Sequence, residues 1–320
     1  MIAKNAITSN YPLNYFSDLL TKTVPVLDLD LLLELEANQA GVNWLSQILA
    51  EFFNITSMTI RISLVHFLNS APLGWGFLHG PFTKGFEVIP SAPSVCADQL
   101  AKGEADIGLI PSVEYQRIPD LAIIPGISIS SFEKVRSLLL IKPRGKKSIN
   151  SVALDTSSRT TAALTKILLS ETMGINPEFV PHPPDLKKML DRCDAALLIG
   201  DAALQVNPDD YDTVDLVEEW NRWQKKPFVC AVWACRKDVR FPPDIVETFH
   251  AAKEWGLQRF PEISDSYAKS LNLSASFLKD YLERNINFDL GREHIEGLRE
   301  FHRLAEKHGL IPNMRSIEFI

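Results

Sequence analysis

The chain has 320 residues, 46% of them hydrophobic and 23% charged, with a formal net charge of -7 at pH 7. These proportions describe a folded globular chain with room for about two ordinary domains, not a disordered or low-complexity one. The acidic balance and the lack of a long basic run argue against nucleic acid as a partner, while a small anionic ligand in a local basic pocket stays compatible.

Residues 1–57 differ from the rest. Between Lys22 and Arg61 there is no Lys or Arg, and the segment DLDLLLELEANQAGVNWLSQILAEFF is acidic and amphipathic. Met58 directly precedes the first strand pattern, so residues 1–57 are expected to be an N-terminal extension ahead of a start at Met58. An N-terminal interaction helix is the alternative. The N-terminus lacks a basic region followed by an apolar core, as a secretory signal would have. No stretch approaches the roughly 20 apolar residues of a membrane span. The expected location is the cytoplasm, without a membrane partner.

From Met58 onward apolar strands alternate with helices. Ile60–Val65 reads as a strand whose tip carries Asn69 and Ser70, followed by a helix around Leu73–Leu78. Glu87–Pro90 is a strand, and Ser94 opens a helix closed by Gly103. Ile107–Ile110 is a strand stopped by Pro111, with Ser112 at the start of the next helix. Ala122–Ile129 is extended, and Val135–Ile141 is a long apolar strand with Ser137 near its start. Val152–Leu154 runs into the hydroxyl-rich stretch Ser157, Ser158, Arg159, Thr160 and Thr161, which opens a helix ended by Gly174. A short helix ends at Arg192, Ala195–Ile199 ends at Gly200 and Asp201, and Pro227–Cys235 is a second long strand. From Pro242 to about Arg303 the pattern is helical, with breaks near Pro261, Leu273 and Phe288.

Apolar strands with polar tips predict α/β sheets whose ligand sits at the strand carboxyl ends. The two long strands bracket a complete βα unit. The chain should therefore cross from one lobe to another and return, leaving a cleft between lobes. The expected division is 58–138 plus 236–320 for the first lobe and 139–235 for the second.

Several residues at these tips are candidates. The Ser157–Thr161 cluster combines unpaired helix N–H groups, hydroxyls and the cation of Arg159, which suits a carboxylate or phosphate, or merely caps the helix. Asn69 and Ser70 can orient a ligand or simply make the turn before Pro72. Ser112 can cap a helix and still face the cleft. Ser137 faces the cleft floor or bonds to backbone. Gly200 and Asp201 end a strand, where Asp201 can hold a ligand hydroxyl, cap a helix or fix Arg159. His66 reads better as a core residue than as a base. No Walker A, G-x-G-x-x-G or G-x-S-x-G pattern occurs. Cys96, Cys193, Cys230 and Cys235 form no C-x-x-C pair, so reduced thiols and no metal site are expected.

The segments HFLNSAPL (His66–Leu73), DIGLIPSVEY (Asp106–Tyr115), VRSLLL (Val135–Leu140), VALDTSSRTTAALTKILL (Val152–Leu169), ALLIGDAAL (Ala196–Leu204) and EEWNRWQKKPFVCAVWA (Glu218–Ala234) resemble the chorismate dehydratases of the futalosine route to menaquinone. The resemblance runs from residue 58 to about 310 and does not reach residues 1–57. It implies a two-lobed fold of the periplasmic-binding-protein-like type II class, with mixed sheets, flanking helices and an interlobe cleft. It also implies dehydration of chorismate to 3-[(1-carboxyvinyl)oxy]benzoate, without a cofactor or metal. On that resemblance Asn69 and Ser137 are expected to be catalytic. Ser70, Ser112, Ser157, Ser158, Arg159, Thr160, Gly200 and Asp201 are expected to bind substrate. The sister enzyme 1,4-dihydroxy-6-naphthoate synthase ranks second, because HFLNSAPL departs from its usual early motif. A cytosolic anion-binding protein is the rival from another class.

Overall fold

The structure, a computed structural model, describes residues 59–320. The expectations for residues 1–57 and for a start at Met58 lie outside the described residues. Two sheets organise the chain. The first has six strands: β1 (Ile60–Val65), β2 (Phe86–Ser91), β3 (Ile107–Pro111), β4 (Leu121–Ser131), β10 (Phe228–Arg236) and β11 (Asn287–Leu290), in the order β11-β4-β10-β3-β1-β2. The second has β5 (Leu138–Pro143), β6 (Ser151–Asp155), β7 (Glu178–His182), β8 (Ala195–Ile199) and β9 (Tyr211–Asp215), in the order β7-β6-β8-β5-β9.

Each sheet is mixed. β1 pairs in parallel with β2 and β3, and β6 with β7 and β8. β10 runs antiparallel between β3 and β4, and β5 runs antiparallel between β8 and β9. The parallel strands are covered on both faces, which is why β3 (IGLIP) and β8 (AALLI) are apolar without alternation and buried at every position.

Helices α1 (Ala71–His79), α2 (Pro93–Lys102), α3 (Glu114–Arg117), α4 (Thr160–Met173), α5 (Leu186–Arg192), α6 (Gly200–Leu204) and α7 (Leu216–Gln224) fill the connections, and α8 (Ile245–Leu257), α9 (Phe260–Leu271), α10 (Ala275–Arg284) and α11 (Arg292–Lys307) form the C-terminal part. One core runs through both lobes. Trp220 of α7 meets Phe228 of β10 edge-on at 5.4 Å and Phe301 of α11 at 6.2 Å between ring centroids. α8 closes on α1 at Gly256, where a Cβ would fall 1.9 Å from the Pro72 carbonyl oxygen. Only a glycine permits that approach.

Two features differ from expectation. Val135–Ile141 is not one strand. Residues 132–137 cross between sheets, Arg136 is left-handed at φ 58°, and the strand begins at Leu138. β10, expected in the second lobe up to residue 235, belongs to the first sheet. The chain returns before this strand, where Lys225 ends α7 at φ 54° and Pro227 follows. Among the described residues no helix is long and apolar enough to cross a membrane.

Candidate functional site

The carboxyl ends of β1, β3 and β8 face the amino end of α4 around a cavity of about 50 Å³. Val65, Phe67, Pro111, Ile129, Leu138 and Ile199 supply apolar wall, and Asn69, Ser158, Thr160 and Thr161 supply polar side chains. By volume this is room for about three or four waters.

Asn69 sits in a 3-10 turn, Leu68–Ser70, just past the end of β1. Ser70 is fully buried, and its hydroxyl lies 2.7 Å from the carbonyl oxygens of both Val65 and Phe67, sharing one proton between them. Ser70 thus closes the turn and holds Asn69 at the cavity; the structure does not bring its own hydroxyl there. The amide oxygen Oδ1 of Asn69 is buried without a hydrogen-bond partner. A buried acceptor left empty costs about 1–3 kcal/mol, so this atom is ready for a donor from a ligand.

The hydroxyl run is split. Ser158, Thr160 and Thr161 line the cavity. Ser157 turns back, its N–H and Oγ donating to Asp155 Oδ1 at 2.8 and 2.6 Å, while its carbonyl accepts from Ser94 N–H at 3.1 Å. Thr160 Oγ1 accepts the Val113 N–H at 3.1 Å and stands 3.5 Å from Ser112 Oγ. Ser112 does not cap a helix. Its hydroxyl donates to the Val229 carbonyl at 2.7 Å and ties the tip of β3 to β10, because the helix that follows is only one turn long.

Arg159 is also committed within the protein. Its Nη1 donates to Glu114 Oε2 at 2.9 Å and its Nη2 to Asp98 Oδ1 at 2.7 Å. The cation expected to meet a ligand carboxylate is instead neutralised, and it ties α4 to α2 and α3. What remains for an anion is the amino end of α4 with its three lining hydroxyls.

Ser137 lies in the first crossing segment, wholly buried. Its carbonyl accepts the Gly200 N–H at 2.8 Å, and its Oγ accepts from Tyr281 Oη at 2.8 Å. Gly200 lines the cavity at φ 58°, packed against the Phe67 ring. Asp201 Oδ1 accepts the Leu68 N–H at 3.0 Å, and burial pushes this carboxyl up to about 6, against the pull of that N–H and of His66. His66 itself is exposed beyond the end of β1 rather than in the core.

Sequence reasoning missed two residues and left a third undistinguished within its run. Thr161 was within the hydroxyl run, but nothing separated it from a helix-capping neighbour. Cys230 lines the cavity with a thiol that burial pushes up to about 12. Tyr281 stands fully buried beside Ser137, where a helical pattern shows only another core aromatic. All four cysteines are free. Among the described residues no group of three or more His, Cys, Asp and Glu is placed to hold a metal ion.

Comparison with known proteins fits this geometry. The chain is 30% identical over 267 residues to a chorismate dehydratase of Thermus thermophilus, covering 78% of this chain and 95% of that protein. Among solved structures, protein AF1704 from Archaeoglobus fulgidus superposes with a TM-score of 0.65 at 19% identity, covering 79% of this chain and 98% of that one. The periplasmic aliphatic sulphonate binding protein SsuA from Escherichia coli follows with a TM-score of 0.53 at 15% identity, covering 80% and 94%. The fold is therefore the two-lobed, periplasmic-binding-protein-like one. A sequence model described as menaquinone biosynthesis matches residues 60–307, and the chain belongs to that menaquinone biosynthesis family.

Proposed function

We propose that the protein is a chorismate dehydratase. It removes water from chorismate to give 3-[(1-carboxyvinyl)oxy]benzoate, the step that opens the futalosine route to menaquinone, in the cytoplasm and without a cofactor. The observation that carries this reading is the buried, partnerless amide oxygen of Asn69 at the cavity. It offers an acceptor to a ligand hydroxyl, and chorismate loses a hydroxyl.

The elimination is balanced within the substrate. The C3–H bond breaks and its electron pair delocalises through the ring alkene toward the ring carboxylate. The C4–O bond then breaks, and the leaving oxygen takes up a proton to depart as water. The ring becomes aromatic, so the step is strongly downhill and needs mainly positioning. A substrate carboxylate is the base. Asn69 orients the C4 hydroxyl, and Ser137 supports it from the crossing segment. Ser158, Thr160 and Thr161 at the amino end of α4 hold a carboxylate.

Incubation of the full chain with chorismate, followed by chromatography, tests the reading. Formation of 3-[(1-carboxyvinyl)oxy]benzoate far above background is expected, with large losses in Asn69→Ala and Ser137→Ala. Chorismate recovered intact refutes it and favours a binding protein or the sister naphthoate synthase.

A further inference from the structure

The second sheet carries a larger cavity, of about 500 Å³, which shares no lining residue with the cavity at the strand tips. The two lie at opposite ends of α4, whose first residues Thr160 and Thr161 line one and whose last, Met173, lines the other. The 14 residues of that helix set them roughly 20 Å apart. The larger volume falls within the range of pockets that hold a small organic molecule. Its floor is apolar. Leu140 of β5 and Val214 of β9 are paired across the sheet, and Ile149 and Ile175 join them from the loops before β6 and after α4. Met173 stays 42% exposed, a large apolar side chain that the fold leaves uncovered here.

The turn after β5 makes the rim basic, with Lys142, Lys146 and Lys147. Two of these cations are already engaged. Lys142 Nζ donates to Asp212 Oδ2 at 2.9 Å and to the Lys146 carbonyl at 2.7 Å, and Lys146 Nζ pairs with Asp194 Oδ1 at 2.5 Å. Lys147 lines the cavity, and among the described residues no carboxylate pairs with it. The side chains of Ser148 and Asn150 line it too, and no hydrogen bond among the described residues engages either. A solvated lysine alone marks nothing. Here it stands beside two further free donors and over an apolar floor.

We propose that this cavity binds a monocarboxylic acid with an apolar body. The hydrocarbon covers Leu140, Val214 and Ile175, and the carboxylate accepts from Lys147, Ser148 and Asn150. One unmatched cation suits one negative charge. A dianion such as chorismate would set its second charge against the apolar floor at a desolvation cost, so the site selects a different ligand from the cavity at the strand tips.

Titration of the full chain with 2-naphthoate, followed by the fluorescence of the probe and by methyl NMR of the Ile, Leu and Val residues, tests this. One equivalent should bind and shift the methyl signals of Leu140, Ile149, Ile175 and Val214. The neutral 2-naphthamide should bind about tenfold more weakly, and Lys147→Glu should weaken naphthoate about tenfold. The proposal is overturned by any of three results: no saturable binding, equal affinity for acid and amide, or shifts confined to Val65, Ile129, Leu138 and Ile199 around the other cavity. If Lys147→Glu does not fold, Lys147→Gln removes the same charge and is read in the same way. Chorismate turnover has no part in these readouts, so the site stands or falls separately from the dehydration reading.

Discussion

Replacing Asp201 with asparagine should stabilise the protein at neutral pH. In the unfolded chain this carboxyl ionises near its ordinary 3.8, and in the folded protein burial moves it to about 6. Between those values the folded state retains a proton that the unfolded state has released, so stability falls as pH rises through the window. Above pH 6 the whole penalty is in force, and below 3.8 it is absent. The span corresponds to about 3 kcal/mol. The replacement amide keeps an oxygen for the Leu68 N–H, now 3.0 Å from Asp201 Oδ1, but a neutral acceptor gives up about 1 kcal/mol of that bond. The net gain for Asp201→Asn is therefore about 2 kcal/mol at pH 7.5. Urea unfolding of both proteins at pH 7.5 and 4.5 measures it, and the difference should narrow by about 2 kcal/mol at the lower pH. A difference that is the same at both pH values would show that Asp201 is not held protonated by its surroundings, and would refute the reasoning.

Three further substitutions probe separate parts of the site. Gly200→Ala places a left-handed Cβ 2.5 Å from the Phe67 ring. It should lose about 1–3 kcal/mol in thermal unfolding and weaken chorismate binding, since Phe67 has to move into the cavity. Arg159→Met removes the pairs to Asp98 and to Glu114, whose side chain is only 5% exposed. Stability should fall by about 1–3 kcal/mol while KM for chorismate changes little; a KM raised more than about tenfold would return the guanidinium to the ligand. His302 is wholly buried between Gln116 and the Ser112 carbonyl, and burial pushes it down to about 4. The unfolded chain binds a proton here that the folded one refuses, so about 3 kcal/mol of stability should be lost as pH falls from 6.5 to 4. His302→Gln should lack that loss in acid titration, and equal acid sensitivity in both proteins argues against the assignment.

Two strands that build the cavity, IGLIP and AALLI, were legible because they are buried at every position and have no alternation to misread, while IRISLV showed itself by its apolar Ile60, Ile62 and Leu64 alternating with Arg61 and Ser63. The strands that escaped sequence reading are all edges. EFVPH of β7, YDTVD of β9 and NFDL of β11 lie at the margins of their sheets, half-exposed or polar, and carry little apolar pattern. Asn69 was legible from its place at a strand tip. The fate of Arg159 was not, because its partners Asp98 and Glu114 lie 61 and 45 residues away and only the folded chain brings them together. Tyr281 was hidden for the same reason, since a buried aromatic on a helix looks alike whether or not its hydroxyl has work.

Asp215 fastens the outward crossing to the start of α7. Its Oδ2 accepts the N–H groups of Val135 and Arg136 on that crossing, and its Oδ1 accepts those of Val217 and Glu218 in the first turn of α7. One carboxylate thus carries four N–H donors from two segments about 80 residues apart in the chain. The outward crossing cannot shift against α7 without giving up bonds to a charge, so this end of the passage is riveted to the second sheet.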